Sequence, residues 1–234
     1  MRCIDLIASF ELEINKLDEA LEKPVTDDSL YWINQAIMKF VKDRFNGNAP
    51  KRTSYEQNEK RTRDLINLFC EETITPGLPT EHKSYDEYEY TYPDGSNERP
   101  AMMFVLNEDV IISDLNDQHE MDTCVFECTA DSFMYRINNS LTDFHYRHHR
   151  ARPLRVRTKD GFRLLTDKNY KIKSYTLGYL KVPEEIKGES PNKEYKDFED
   201  YIWLEIIKIA AQMYVENQQD PRYKTLTNEI LTQE

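Results

Sequence analysis

Apolar residues near the start of the chain recur at Ile7, Phe10, Ile14, Leu17 and Leu21, a 3, 4, 3, 4 spacing that places them on one face of a helix. Pro24 stops that helix, Thr26 or Asp27 can cap the next, and Leu30, Ile33, Ile37, Phe40 and Arg44/Phe45 carry the same period to about Phe45. Gly47 provides a left-handed stop, and Ser54 with Gln57 forms a capping box ahead of a third helix carrying Leu65, Ile66 and Phe69. Pro76, Gly77 and Pro79 close this block, and the period then changes to 2: Tyr88, Tyr90 and Tyr92 alternate with Glu89 and Thr91. Short apolar runs at Met102–Leu106, Val110–Ile112 and Cys124–Cys128 read as further strands, and Asp131–Asn139 as a short helix. LRVRT, a turn at Lys159-Asp160-Gly161, FRLLT and YKIKSYTLGYLKV make the stretch Leu154–Val182 β again.

Gly188–Lys193 is a polar loop, and helix returns at about Lys196 with Ile202, Ile206, Ile209 and Met213 at helical spacing. Asp220-Pro221 opens a last short helix through Tyr223, Leu226 and Ile230. The expected fold is α+β: N- and C-terminal helices forming a helical bundle, with a β-rich middle of antiparallel strands. The expected parts are 1–80 helical, 81–194 a β-rich insertion with a short helix, and 195–234 C-terminal helices packing on the N-terminal ones.

The chain has 234 residues, enough to bury a core without staples, and its 15 tyrosines suit half-buried sheet faces and interfaces. Met1–Leu21 carries acids through its apolar stripe and so reads as a helix, not a signal peptide. No window approaches about eighteen apolar residues, so no membrane partner is expected. Cys3, Cys70, Cys124 and Cys128 read as reduced thiols. The net charge of −12 has the wrong sign for a nucleic-acid reader. It is also uneven: twelve acids lie between Glu81 and Asp122 against Lys83 and Arg99 alone. Arg147, Arg150, Arg152, Arg155 and Arg157 follow with no acid among them.

Those five arginines are the candidate partner interface, an anion-facing strip that suits an acidic protein surface better than DNA, because five charges alone give only salt-sensitive phosphate binding. The bland alternative is a charged strand edge that deters pairing. His145, His148 and His149 are close enough to suggest a metal, but Arg147 and Arg150 would repel a cation, so no metal site is assigned. Cys124 and Cys128 read as two small buried residues rather than half of a zinc site. Serine-hydrolase, P-loop and dinucleotide signatures are missing, and six glycines cannot draw a phosphate cradle. No catalytic residue and no cofactor is therefore assigned.

The segment WINQAIMKFVKDRFNGNAPKRTSYEQNEKRTRDLINLF resembles the N-terminal region of the head–tail connector (ring or adaptor) proteins of tailed bacteriophages, the crAss-like phages especially. The likeness rests on Trp32-Ile33-Asn34, Ala36, Phe40-Val41-Lys42, Arg44-Phe45, Gly47-Asn48, Glu56-Gln57, Arg61 and Asp64-Leu65. Gly178-Tyr179-Leu180-Lys181-Val182-Pro183, the Ile-rich helix after it and Asp220-Pro221-Arg222-Tyr223 are similar to the way these chains end. The resemblance implies a structural virion protein, assembled in the bacterial host cytoplasm and resident at the head–tail interface. Its implied partners are the portal protein, other copies of itself in a ring, usually twelvefold, and tail or further ring proteins. DNA would pass through the channel without sequence-specific contact, and an acidic 81–122 lining would repel it. The competing readings are a cytosolic protein-binding adaptor module and a nucleic-acid-processing enzyme using the His/Arg segment.

Overall fold

The computed structural model of the chain describes residues 1–17, 24–46, 59–95, 99–147 and 150–217. The fold is mixed α+β, and the chain divides into two compact units, one made of residues 1–68 and 183–234 and the other of residues 69–182.

The first unit holds α1 (Cys3–Leu17), α2 (Thr26–Asn46), α3 (Glu59–Asp64) and α5 (Asp200–Asn217). Phe10 and Ile14 of the expected α1 stripe are buried, but Leu6 is buried where Ile7 was expected and Ile7 is half-buried, and Leu21 lies outside the described residues; on α2 Leu30, Ile33, Ile37 and Phe40 are all buried. The inward face of α5 is broader than a single stripe: Ile202, Trp203, Ile206, Ile207, Ala210, Ala211, Tyr214 and Val215 are all buried, while Ile209 and Met213 are only half-buried. A helix packed by two neighbours needs such a wide apolar face, and α5 packs on both α1 and α2. Tyr214 sits edge-on to Phe10 at 6.2 Å and to Trp32 at 6.3 Å. Asn34 ties α2 to the loop before α5, its Nδ2 donating to the Ile186 carbonyl (3.0 Å) while its Oδ1 accepts the Ile186 N–H (2.9 Å).

The expected third helix is shorter than its spacing implied. α3 ends at Asp64, a single 3-10 turn spans Ile66–Leu68, and Phe69 already begins a strand. Phe69–Ile74 alternates exposed and half-buried positions, and its register with Gly178 and its neighbours claims the backbone that a helix would have used. The Ser54/Gln57 box, the Gly47 stop and the Asp220-Pro221 helix lie outside the described residues.

The second unit is two sheets. One has the order β1-β9-β4-β5, with β1 (Phe69–Ile74), β9 (Tyr170–Lys181), β4 (Met102–Asp114) and β5 (Glu120–Cys124). The other has the order β2-β3-β8-β7-β6, with β2 (Thr80–Glu81), β3 (Asp86–Thr91), β8 (Gly161–Thr166), β7 (Leu154–Arg157) and β6 (Phe126–Cys128). Neighbours are antiparallel except β6 and β7, which run parallel. Tyr88, Tyr90, Phe162 and Leu164 from one sheet and Val110, Ile112, Tyr170, Tyr175, Leu177 and Tyr179 from the other form one core, so the sheets pack face to face. The outer face of β7 and β8 is covered as well. Leu154, Val156 and Leu165 pack with Cys128 and Phe144 and with Ile137 of α4 (Phe133–Asn138).

The two apolar runs at 102–106 and 110–112 belong to one strand, β4, with register shifts between Met102/Phe104, Val105/Asn107 and Ile111/Ile112. At the last shift Lys173 of β9 is the extra residue, because Ile111 pairs with Ser174 and Ile112 with Ile172. A bulge of this kind flips the alternation. It turns Tyr170 and Ile172 before it, and Tyr175, Leu177 and Tyr179 after it, towards the same core. Cys124 and Cys128, expected to be a buried pair on one strand, fall in different sheets. The chain crosses over at Val125, which leaves Cys124 exposed on β5 and Cys128 buried on β6.

Candidate functional site

The five arginines do not share one surface. Leu154 and Val156 face α4, so alternation along β7 turns Arg155 to the opposite side, into the space between the sheets. Arg155 is 3% exposed. Its Nη1 lies 2.6 Å from Glu108 Oε2 on β4, and its Nη2 lies 2.8 Å from Glu127 Oε2 on β6. Arg157, at the strand end, pairs with the other oxygen of Glu127 (2.7 Å). Tyr175 donates its hydroxyl to Glu108 Oε1 at 2.6 Å. Burial pushes the Glu108 carboxyl up from its ordinary value, with Tyr175 and Arg155 pulling it back, and burial together with Glu108 raises the Tyr175 phenol. Arg155 is thus an internal counter-ion that fastens one sheet to the other, and it presents no guanidinium to a partner. The expectation that it belongs to the interface strip is corrected by the parity of its strand.

Arg147, Arg150 and Arg152 remain at the surface and line an open cleft of about 710 Å³. Its other walls are Met121, Asp122 and Thr123 of β5 together with Leu141, Thr142, Asp143, His145 and Ala151. Backbone bonds hold the rim in place: Arg147 and Arg150 exchange N–H···O bonds (3.0 and 2.8 Å), and the Arg152 N–H donates to the Asp143 carbonyl (2.8 Å). The Arg147 guanidinium donates to the Ser140 carbonyl. Thr142 donates to the Arg136 carbonyl (2.9 Å), while Asn139 Oδ1 accepts the Leu141 N–H (3.0 Å). These bonds hold Leu141 outward, 82% exposed. Among the described residues, Arg150 and Arg152 carry no ion-pair partner, in a chain with 43 acids.

His145 lines the cleft; its Nδ1 is 3.6 Å from Asp167 Oδ2, and its Nε2 is buried with no hydrogen-bond partner among the described residues. Asp167 is itself committed to the turn between β8 and β9, accepting the N–H groups of Tyr146 (2.8 Å) and Asn169 (2.9 Å). His148 and His149 lie outside the described residues, among which no group of three or more His, Cys, Asp and Glu comes together as a metal site. Among the described residues, no helix is long and apolar enough to cross a membrane.

The sequence reading missed the apolar and backbone parts of this surface. Leu141 sits in the cleft wall, and Met134 and Tyr135 are exposed on α4 just before it. The β5 segment that forms the floor is a sheet edge. An isolated Leu or Tyr in a polar loop gives no periodic signal, and edge position is decided by strand order alone.

No protein-family model matches the chain, and no curated protein matches it.

Proposed function

We propose that this protein is a structural assembly protein, a head-to-tail connector ring protein of a tailed bacteriophage. In this reading it docks below the portal, extends the DNA channel and receives tail components, and its helical ends act as a bundle-type scaffold. The resemblance carried by Trp32–Phe69 names the class. The observation that supports a binding role over a catalytic one is the open arginine cleft with exposed Leu141 in its wall, alongside the exposed Met134 and Tyr135 of α4. Arg, Tyr and Met are the residues enriched where proteins meet, whereas a substrate pocket is enclosed and convergent. Surplus acid elsewhere on the chain, with its net charge of −12, would keep DNA from sticking to the protein as it passes.

The test is quantitative mass spectrometry of purified phage particles carrying this protein. The expected result is a constant stoichiometry of about twelve copies per particle, the order expected of a ring at one vertex. A protein abundant in infected-cell lysate and missing from purified particles overturns the reading.

A further inference from the structure

Among the described residues no further strand pairs with either outer strand of the four-stranded sheet, β1 or β5, and these two edges differ in direction and in charge; the Thr123 hydroxyl of β5 donates to the Ala151 carbonyl (3.0 Å). Each neighbouring pair in β1-β9-β4-β5 is antiparallel, so β1 and β5 run in opposite directions. A second copy placed beside the first in the same orientation would therefore bring its β1 antiparallel to β5. Four strands, an even number, permit this; an odd number would force a parallel seam.

The phase of the ladder shows which backbone groups such a strand would meet. The Asp114 N–H donates to the His119 carbonyl (3.2 Å). In the regular β4–β5 register this turns the backbones of Met121 and Thr123 towards β4, and those of Glu120, Asp122 and Cys124 away from it. The outward groups of Asp122 lie at the arginine cleft. The β1 edge carries Glu71, exposed, and Glu72, held by Arg99 at 2.8 Å. At the β5 edge Arg147, Arg150 and Arg152 outnumber Asp122 and Asp143, and Glu120 is paired with Lys173, whereas at the β1 edge Arg99 neutralises Glu72 and leaves Glu71. Pairing β5 with β5, or β1 with β1, would oppose like charges, whereas pairing β5 with β1 opposes unlike ones.

We infer that β5 of one copy receives β1 of the next, extending the sheet across the subunit boundary as a head-to-tail contact steered by Arg147, Arg150 and Arg152. Main-chain hydrogen bonds supply the affinity and the cleft selects the acidic strand. The contact is heterologous, the type that closes into a ring when the rotation per copy allows. The inference rests on the ring reading for that closure, though not for the strand pairing itself.

Native mass spectrometry and sedimentation of the full chain, across concentration, test it. Wild type self-associates, whereas Asp122→Pro, which removes an outward N–H and leaves the β4 ladder whole, stays monomeric with an unchanged melting temperature. Arg150→Glu/Arg152→Glu, two exposed changes away from the ladder, loses assembly in the same way, as does Glu71→Lys. Each of these charge variants keeps one sound edge, and their altered edges are opposite in charge to each other, so mixing Glu71→Lys with Arg150→Glu/Arg152→Glu restores the assembly that neither variant forms alone. The inference is overturned if Asp122→Pro and Arg150→Glu/Arg152→Glu assemble as wild type does, if the mixture stays monomeric, or if wild type is monomeric at its highest soluble concentration. Particles that still incorporate these variants at full stoichiometry would leave the ring reading standing and remove this contact. A protein missing from particles that still shows Asp122→Pro-sensitive association would do the reverse.

Discussion

Replacing Arg155 with methionine removes the cation from between the two sheets while keeping most of the volume of its stem. The guanidinium reaches Glu108 at 2.6 Å and Glu127 at 2.8 Å, but the two contacts are not equal. The Glu127 side chain is 52% exposed, so losing that contact costs little. The Glu108 side chain is 12% exposed and would be left as a buried carboxylate held only by the Tyr175 hydroxyl. Breaking a buried pair from one side costs about 3–5 kcal/mol. With a urea dependence of about 2 kcal/mol per molar, the midpoint should fall by roughly 1.5–2.5 M. The chain offers a way to see where this loss falls. Both tryptophans, Trp32 and Trp203, lie in the helical unit, and the β unit is rich in tyrosine. Tyrosine near-UV circular dichroism should therefore shift, and tryptophan fluorescence should shift less. The sign with pH follows from Glu108, whose folded carboxyl is already raised by burial. A raised group contributes stability that is complete below its unfolded pKa and lost as pH rises through its folded one. Without Arg155 the folded value climbs further, so the penalty is larger at about pH 8 than at about pH 5. The triple change Arg155→Met/Glu108→Met/Tyr175→Phe leaves no buried polar group stranded and should return to within about 1 kcal/mol of wild type, or exceed it. A loss below about 1 kcal/mol for Arg155→Met alone, or a larger penalty in acid than in base, would refute the assignment of Arg155 as the internal counter-ion of Glu108.

In the helical unit, Arg44 lies 3.0 Å from Asp64 and 2.6 Å from Glu205, and burial raises the Asp64 carboxyl. Arg44→Met should therefore cost about 3–5 kcal/mol, read by tryptophan fluorescence in urea. A Cβ on Gly161 would meet the Tyr90 carbonyl oxygen at 1.8 Å, a backbone atom with no rotamer to yield, so Gly161→Ala should destabilise the β unit by about 2 kcal/mol or more in the same titration followed by tyrosine dichroism. The three atoms nearest a Cβ on Gly178 all belong to the Asn107 side chain, the first at 1.9 Å, so Gly178→Ala should be rescued by Asn107→Ala where Gly161→Ala has no such partner. Asn34→Ala removes both bonds to Ile186 and should cost about 2 kcal/mol, with faster amide exchange at Ile186 as the local readout.

Much of the architecture was legible because it is written as local periodicity. The stripe of α2, Phe10 and Ile14 of α1, the alternation of β3 and the turn at Lys159-Asp160-Gly161 each stand in the structure where their spacing put them. The misreadings share one cause. Phe69 was assigned to a helix, the two apolar runs of β4 to separate strands, and Cys124 and Cys128 to one strand. In each case the deciding partner lies far along the chain: β9 for Phe69, the bulged register with β9 for β4, and the switch of sheets at Val125 for the cysteines. The spacing of Ile202, Ile206, Ile209 and Met213 predicts α5 but not its width, since a helix packed by two neighbours buries residues that a single stripe leaves out.

The arginine run shows most plainly what the sequence determined and what it left to the tertiary structure. The sequence alone established a cluster of positive charge in an acidic chain, and the structure shows which members, Arg147, Arg150, Arg152 and Arg157, are exposed. The sequence did not establish that Arg155 points inward, because a β-strand has two faces and alternation says only that Arg155 and Val156 lie on opposite ones. An apolar face normally turns to the core, which would have put Arg155 in solvent. Here α4 and Phe144 give Leu154 and Val156 a second core, and Glu108 waits on the other side. Which face is inside is a property of what packs on each side, and only the fold supplies that.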